Sequence, residues 1–441
     1  MRSVWIHLER ILGFLIVSCS FIIAGCSPSR PAPVPTPTLQ PTQIASSRWE
    51  PISLPLPGTQ LLAYTVSPTD PETLYACANA VGTSTDSVSE GSITLWGTHD
   101  AGHHWFSISL PATSGTGCTI SVALSQPQHI AFEVTNDSDD HRPCDRNILY
   151  LSTDSGASWQ RIPHHSIAPQ GAANGFCSIT VTGQHLYLWY TFGGGENSPQ
   201  LSLLERTDND GITWSRADTD FGPGVFFFPP QIGEDGTLAT IVRHARPTSE
   251  TRPVLWMSHD SGRSWQRRAT LPASVGTYLL TSPRQNPSWP TPAVPFYALA
   301  GEQIPSNLYD LQVFQSPDGQ QWFAIPPLPV PRASGEHPGL LQALAATNDG
   351  HLLAFGVNPN AGLPASLVAE QKPMAAFWLW LWDPRTSHWQ VLSSPLTHPA
   401  DESCGLCWGG ALSSSPEHAT YLYVYHWGDS DNLFRISLPV V

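Results

Sequence analysis

Ser152–Trp159 reads STDSGASW, and the same eight-residue turn recurs as THDAGHHW at Thr98–Trp105, TDNDGITW at Thr207–Trp214 and SHDSGRSW at Ser258–Trp265. A hydroxyl residue, an acid two positions on, a glycine two further and a closing tryptophan form the shared frame; Asn209 replaces the acid in the third copy. Two degenerate copies follow, SPDGQQW at Ser316–Trp322, one residue short, and WDPRTSHW at Trp382–Trp389, without the glycine. The pattern has a physical logic. The carboxylates of Asp100, Asp154, Asp260 and Asp318 can accept backbone N–H groups in a tight turn. Gly102, Gly156, Gly211 and Gly262 tolerate positive φ, and the tryptophan packs under the hairpin. These roles are structural. A seventh tryptophan, Trp49, has no such turn before it, and the spacings from Trp49 through Trp105, Trp159, Trp214, Trp265, Trp322 and Trp389 are 56, 54, 55, 51, 57 and 67 residues. That interval accommodates one four-stranded unit per tryptophan.

Composition agrees with a turn-rich β protein. The 441 residues include 43 Pro, 34 Gly and 44 aromatics, with only 12% charged. Lys372 is the sole lysine, so the sustained helix-forming periodicity of a coiled coil or long-helix architecture is excluded. The formal net charge of −15 argues against nonspecific attraction to nucleic acid or anionic lipid.

The four full turns resemble the Asp-box (BNR) repeat of the sialidase, sortilin and photosystem II assembly factor-like superfamily, over essentially the whole folded body. The resemblance implies a β-propeller, with each turn on the hairpin between the third and outer strands of a blade, away from the ligand face. Segments near Gly409, Thr420 and Asn432 supply three strands after the sixth motif but no fourth, while Arg48–Leu54 resembles a fourth strand with no preceding three. Joining them makes an all-β, seven-bladed propeller whose last blade is closed by the amino-terminal strand, which leaves few exposed edges. First strands are expected near Gln60, Cys118, Cys177, Val225, Gly276, Gly339 and Gly409, and second strands near Thr73, His129, His185, Leu238, Pro295, His351 and Thr420.

Residues 1–25 carry Arg2 and Arg10 and then a short apolar run, and read as a secretory signal. Ile23-Ala24-Gly25-Cys26 resembles the bacterial lipobox, which implies a lipidated Cys26. Residues 26–47, with Pro28, Pro31, Pro33, Pro35, Pro37 and Pro41, form an extended spacer, and residues 48–441 the propeller. The expected location is the extracytoplasmic face of the cell membrane, through the lipid anchor, and the expected state is a monomer.

An exported chain pairs its cysteines. The blade map prunes the fifteen pairings possible among the six beyond Cys26. Cys77 ends the second strand of blade 1 where Cys118 starts the first strand of blade 2, and Cys144 and Cys177 stand similarly one blade on. Cys77 with Cys118 and Cys144 with Cys177 are therefore expected, as is a local Cys404–Cys407 bridge, since no βαβ context supports a redox role for that spacing.

Sialidases place three arginines around a carboxylate, with an early Arg-Ile-Pro element. The first inner strand, Gln60–Val66, has no arginine, and Arg161-Ile162-Pro163 follows a motif tryptophan and so falls on an outer strand. Arg216, Arg267 and Arg268 are discounted in the same way. Arg243, Arg246 and Arg252 in the blade 4 loop, Arg332, Glu336 and His337 entering blade 6, and Glu196 after Gly193–Gly195 remain as ligand-face candidates for a carboxylate or sulfate. No metal, cofactor or nucleic-acid partner is expected. The reading is a non-catalytic binding or assembly module for a protein or glycan; the alternative is a sialidase-like exo-glycoside hydrolase.

Overall fold

The computed structural model describes residues 49–55, 59–80, 91–111, 114–123, 125–136, 147–164, 176–183, 185–192, 201–218, 220, 224–225, 230–233, 236–244, 252–272, 279–281, 295–303, 309–327, 340–347, 350–359, 374–392, 396–399, 408–415, 418–426 and 433–438. They form strands and turns, with no helix among the described residues.

Seven antiparallel sheets, each with a main path of four strands, form a seven-bladed β-propeller; in blade 1 the short strand Ser114–Gly115 also pairs with the third strand. Blade 1 runs Thr59–Val66, Leu74–Ala80, Gly91–Thr98 and Phe106–Ile108; blade 2 runs Gly117–Val122, Ile130–Thr135, Ile148–Ser152 and Gln160–Ile162. Blade 3 runs Phe176–Val181, Leu186–Phe192, Leu201–Thr207 and Ser215–Arg216. In blade 4 the first strand is in two pieces, Gly224–Val225 and Gln231–Ile232, beside Leu238–His244, Val254–Ser258 and Gln266–Thr270. Blade 5 is Leu279–Thr281, Phe296–Gln303, Tyr309–Ser316 and Phe323–Ala324. Blade 6 is Leu340–Ala346, Leu352–Pro359, Met374–Asp383 and His388–Val391, with Leu396–Pro399 also on the third strand.

Blade 7 takes Trp408–Ser415, His418–His426 and Leu433–Leu438 from the carboxy-terminal end and Glu50–Ile52 from the other end of the chain. The register Glu50↔Arg435, Pro51↔Phe434, Ile52↔Leu433 closes the ring. The expected first-strand starts fall within one residue of the observed ones except in blade 5, where Leu279 replaces Gly276.

The core lies between blades rather than within them. Trp159 packs on a cluster that joins blades 1 and 2, Trp214 on one joining blades 2 and 3, and Trp265 on one joining blades 3 and 4. Trp322, Trp389 and Trp105 do the same for blades 4 and 5, 5 and 6, and 7 and 1. The indole does more than fill space under its hairpin. Its N–H donates to a carbonyl just past the outer strand of the preceding blade: Trp105 to Ser53 (3.0 Å), Trp214 to Pro163 (2.9 Å), Trp389 to Pro326 (2.8 Å), and Trp265 to Ala217. These four tryptophans are thus hydrogen-bonded ties between blades, whereas the indole nitrogens of Trp159 and Trp322 have no such partner among the described residues and those two rings join their blades by packing alone.

A second periodic signal sits three residues after most of these tryptophans. Ile52, Ile108, Ile162, Ala217, Ile325 and Leu392 occupy that position and are all buried. In blade 4 the longer outer strand, with a register shift between Leu255 and Trp256, moves the equivalent role to Leu271, which is fully buried. Ile52 presses on Gly102, Ile108 on Gly156 and Ile162 on Gly211, where an added Cβ would lie 2.4, 3.2 and 1.9 Å from the isoleucine Cγ2. The motif glycine therefore serves two purposes, a positive φ of 90°, 89° and 83° in these three turns and room for the neighbouring blade.

Cys77 and Cys118 are disulfide-bonded across blades 1 and 2, with Cα atoms 6.6 Å apart. Cys77 lies at the middle of Leu74–Ala80, opposite Leu95, rather than at the strand end expected from the sequence. Cys177 is also disulfide-bonded. Cys26, Cys144, Cys404 and Cys407 lie outside the described residues.

Candidate functional site

The repeated turns occupy one face. Ala101 and Ser155 donate their amides to Glu72 O (2.7 Å) and Gln128 O (2.9 Å), so each turn sits on the connection between the first and second strands of its own blade. Within each turn the polar groups are consumed locally. Gly156 N donates to Ser152 Oγ (2.8 Å), Ser152 Oγ to Asp154 Oδ1 (2.8 Å), Ser158 N to Asp154 Oδ1 (2.8 Å) and Ser158 Oγ to Asp154 Oδ2 (2.6 Å). Asp100 and Asp260 repeat the arrangement with His104 and Ser264.

The third turn shows what the acid contributes. Asn209 keeps the acceptor role toward Thr213 N (2.9 Å), but its Nδ2 donates to Thr213 Oγ1 (2.9 Å), reversing the polarity of the outer bond. Geometry survives the loss of charge. The donors hold Asp100 well below the usual carboxylate range, the His104 amide first, then its ring and the Thr98 hydroxyl. Burial pushes Asp260 up, yet the Ser264 hydroxyl and amide and the Ser258 hydroxyl carry it down to about 2. Asp318, in the shortened turn, accepts from Gln320 N and Gln321 N, each at 2.8 Å. In Asp100, Asp154 and Asp260 both carboxylate oxygens are engaged by donors of the turn itself, so these acids are turn-formers.

First strands of adjacent blades lie side by side at the junctions of blades 1 and 2, 2 and 3, 5 and 6, 6 and 7, and 7 and 1, so they surround the ring axis. Their sequences are TQLLAYTV, GCTISV, FCSITV, GV with QI, LLT, LLQALAA and WGGALSSS. None contains Asp, Glu, Lys, Arg or His. Hydroxyls serve the axis instead, as where Val181 N donates to Ser121 Oγ across blades 2 and 3 at 3.2 Å.

The opposite end of each blade carries the last residues of the second strand and the first residues of the third. Arg243 is the penultimate residue of Leu238–His244, paired with Val225, and Arg252 is exposed two residues before Val254–Ser258. The two therefore stand at the same end of blade 4, one closing its second strand and the other just ahead of its third. Arg246, Arg332, Glu336, His337 and Glu196 lie outside the described residues. Arg161, Arg216, Arg267 and Arg268 are on outer strands, and Arg435 is on the third strand of blade 7, as their sequence positions implied.

Sequence reasoning passed over a buried polar group between blades 2 and 3. Glu133, Glu205 and His164 meet there with Thr119, Asn147 and Tyr190. The signal was a glutamate inside an apolar strand, IAFEVT and LSLLERT. Among the described residues no group of three or more His, Cys, Asp or Glu is arranged to hold a metal ion, and no helix is long and apolar enough to cross a membrane.

No protein-family model matches the chain, and no curated protein matches it. Solved structures with a similar course include YCF48 bound to a D1 peptide, at 14% identity over 89% of this chain and 97% of that one, TM-score 0.47. YCF48 from Cyanidioschyzon merolae matches at 12% identity over 89% of this chain and 98% of that one, TM-score 0.45. A sialidase from Trypanosoma rangeli, in complex with the inhibitor DANA, matches at 13% identity over 68% of this chain and 53% of that one, TM-score 0.38. The class the architecture itself defines is a seven-bladed β-propeller.

Proposed function

We propose that the chain is a lipid-tethered, extracytoplasmic Asp-box propeller that binds a protein or glycan partner, or supports assembly at the membrane, without turnover. Residues 1–25 serve as the lipoprotein signal, Cys26 as the lipidated residue, 26–47 as the spacer and 48–441 as the propeller. The observation that carries the non-catalytic reading is the charge-free set of first strands. The sialidase resemblance implies three arginines around the substrate carboxylate and an acid beside it, and none of the described innermost strands supplies either. Arg243, Arg246, Arg252, Arg332, Glu336, His337 and Glu196 are the residues proposed for ligand contact, where guanidinium groups suit carboxylate or sulfate.

The test exposes the soluble body to fluorogenic sialosides and other glycosides, and in parallel to a glycan array and to immobilised membrane proteins. Saturable binding without hydrolysis is expected, weakened by Arg252→Ala. Robust hydrolysis abolished by Arg243→Ala or Arg332→Ala overturns the reading.

A further inference from the structure

The seam between blades 2 and 3 buries more ionisable chemistry than its apolar surroundings warrant. Glu133 is fully buried, and its carboxyl accepts from Thr119 Oγ1 at 2.8 Å and Asn147 Nδ2 at 2.6 Å. Glu205, on the third strand of blade 3, is 1% exposed and accepts from the Tyr190 hydroxyl at 3.0 Å. His164, two residues past the outer strand Gln160–Ile162, places Nε2 3.0 Å from Glu205 Oε2 and its ring edge-on to Trp214 at 5.1 Å. Opposite Glu205 in the register is Arg216, which is engaged by Asp218 at 2.8 and 2.9 Å. The charged and titratable groups at this seam are thus Glu133, Glu205, Asp218, Arg216, His164 and Tyr190.

The two glutamates are not equivalent. Glu205 faces an imidazole and lies across from a guanidinium, whereas the hydrogen-bond partners of Glu133 are all neutral: a hydroxyl, a side-chain amide and the backbone of Ile179. An ionised carboxylate without a directly paired cation is costly to bury. The geometry points to a proton-linked joint: in the folded ring Glu133 sits between blades 2 and 3 as the neutral carboxylic acid, beside the hydrogen-bonded His164–Glu205 pair, so the ring takes up a proton from solvent when it folds.

Hydrogen bonding fits either form. Asn147 Oδ1 accepts from Asn136 N at 3.1 Å, which fixes its Nδ2 toward Glu133, and the Thr119 hydroxyl can reverse from donor to acceptor. Burial pushes the Glu133 carboxyl up, and the Thr119 and Asn147 hydrogen bonds and the His164 charge oppose this without overcoming it. The sign of the linkage follows. A group raised in the folded state contributes stability that is fully present below its unfolded value, about 4.3 for glutamate, and that is lost as pH rises through the folded value.

The experiment compares thermal unfolding of the wild-type propeller and E133Q across about pH 5 to 9. The Tm difference is expected to move in favour of the glutamine variant as pH rises, by roughly 2–4 °C or more across the range. A difference that stays constant with pH overturns the proposal. A second measurement needs no variant: at about pH 6.5 ordinary carboxyls are ionised, so the infrared spectrum of the folded wild-type chain in D2O is expected to retain a protonated-carboxyl band that disappears on unfolding. A folded protein without that band also overturns it.

Discussion

Two seams of the ring use the same joint and balance its charge differently. Between blades 3 and 4, Tyr187 and its cross-strand partner Arg206 both reach Ser261 O in the next blade's turn, at 3.2 and 2.8 Å. At the closure between blades 7 and 1, the corresponding pair is Tyr423 and Arg435; Tyr423 donates to Pro71 O at 2.7 Å and Arg435 to Ala101 O at 3.2 Å. Ser261 and Ala101 are equivalent residues, each left-handed just before the motif glycine. The guanidinium of Arg206 is neutralised by Asp208 at 2.9 Å, a half-exposed acid of its own turn that also holds Arg263 and His185. That of Arg435 is neutralised by Glu50 at 2.7 Å, a residue of the closing strand, and lies over the Tyr421 ring at 5.5 Å. Closure therefore needs no special device. An ordinary joint is completed by an acid delivered from the far end of the chain.

The most severe way to break the closing seam is Ile52→Asp. Ile52 is 4% exposed between Val66, Leu74, Tyr423 and Leu433, so an unpaired carboxylate there is expected to cost about 4 kcal/mol or more. Urea unfolding measures the loss, and limited proteolysis is expected to remove the segment ahead of Thr59 first. A loss below about 1 kcal/mol would show that the closing strand is not held as described.

Double-mutant cycles sharpen the comparison itself. Arg206→Met with Asp208→Asn is expected to give a coupling of about 1–2 kcal/mol, because both arginine side chains are largely buried and Asp208, at 38% exposed, is the less solvated of the two acids. Arg435→Met with Glu50→Gln is expected to give less than about 1 kcal/mol, screened further by salt, because Glu50 is 58% exposed. Equal couplings would mean that solvent does not distinguish the two seams.

The smallest effect concerns the turns that both seams grip. Asp260 is depressed to about 2, so its contribution is present above the ordinary aspartate value near 3.9 and is lost as pH falls through about 2. Asp260→Asn, which copies the arrangement already present at Asn209, is expected to lower Tm slightly at pH 7 and by a vanishing amount as pH approaches 2. A Tm penalty independent of pH would assign the effect to altered hydrogen-bond polarity instead of charge.

The blade count, the strand starts and the partnership of Trp49's segment with Phe434 were legible because they depend on local turn chemistry repeated at a fixed interval. The ties between blades were harder to see. Trp214 donating to Pro163 crosses 51 residues, and Arg435 meeting Glu50 crosses 385, so neither leaves a mark within a short window of sequence. A weaker trace was present all the same. A tyrosine is the second residue of the second strand in blades 1, 3 and 5, at Tyr75, Tyr187 and Tyr297, where blades 2, 4 and 6 have Ala131, Ala239 and Leu353. Tyr187 and Tyr297 each donate to the next blade, Tyr297 to Gly350 O at 2.6 Å, and Tyr423 does the same in blade 7 from further along its strand, so the alternation marks only part of the phenol-pinned seams. Residue type and a shared face single out the ligand-face candidates in the sequence, but neither fixes the convergence of side chains from separate blades.

The pairing of Glu50–Ile52 with Leu433–Leu438 also sets a timetable for biogenesis. The strand synthesised first is the one that must wait longest for its partner, so six blades are complete in sequence before the seventh has all its strands. During that interval the apolar side of Ile52 lacks its partners Tyr423 and Leu433, and any factor that escorts the nascent chain has its natural foothold there.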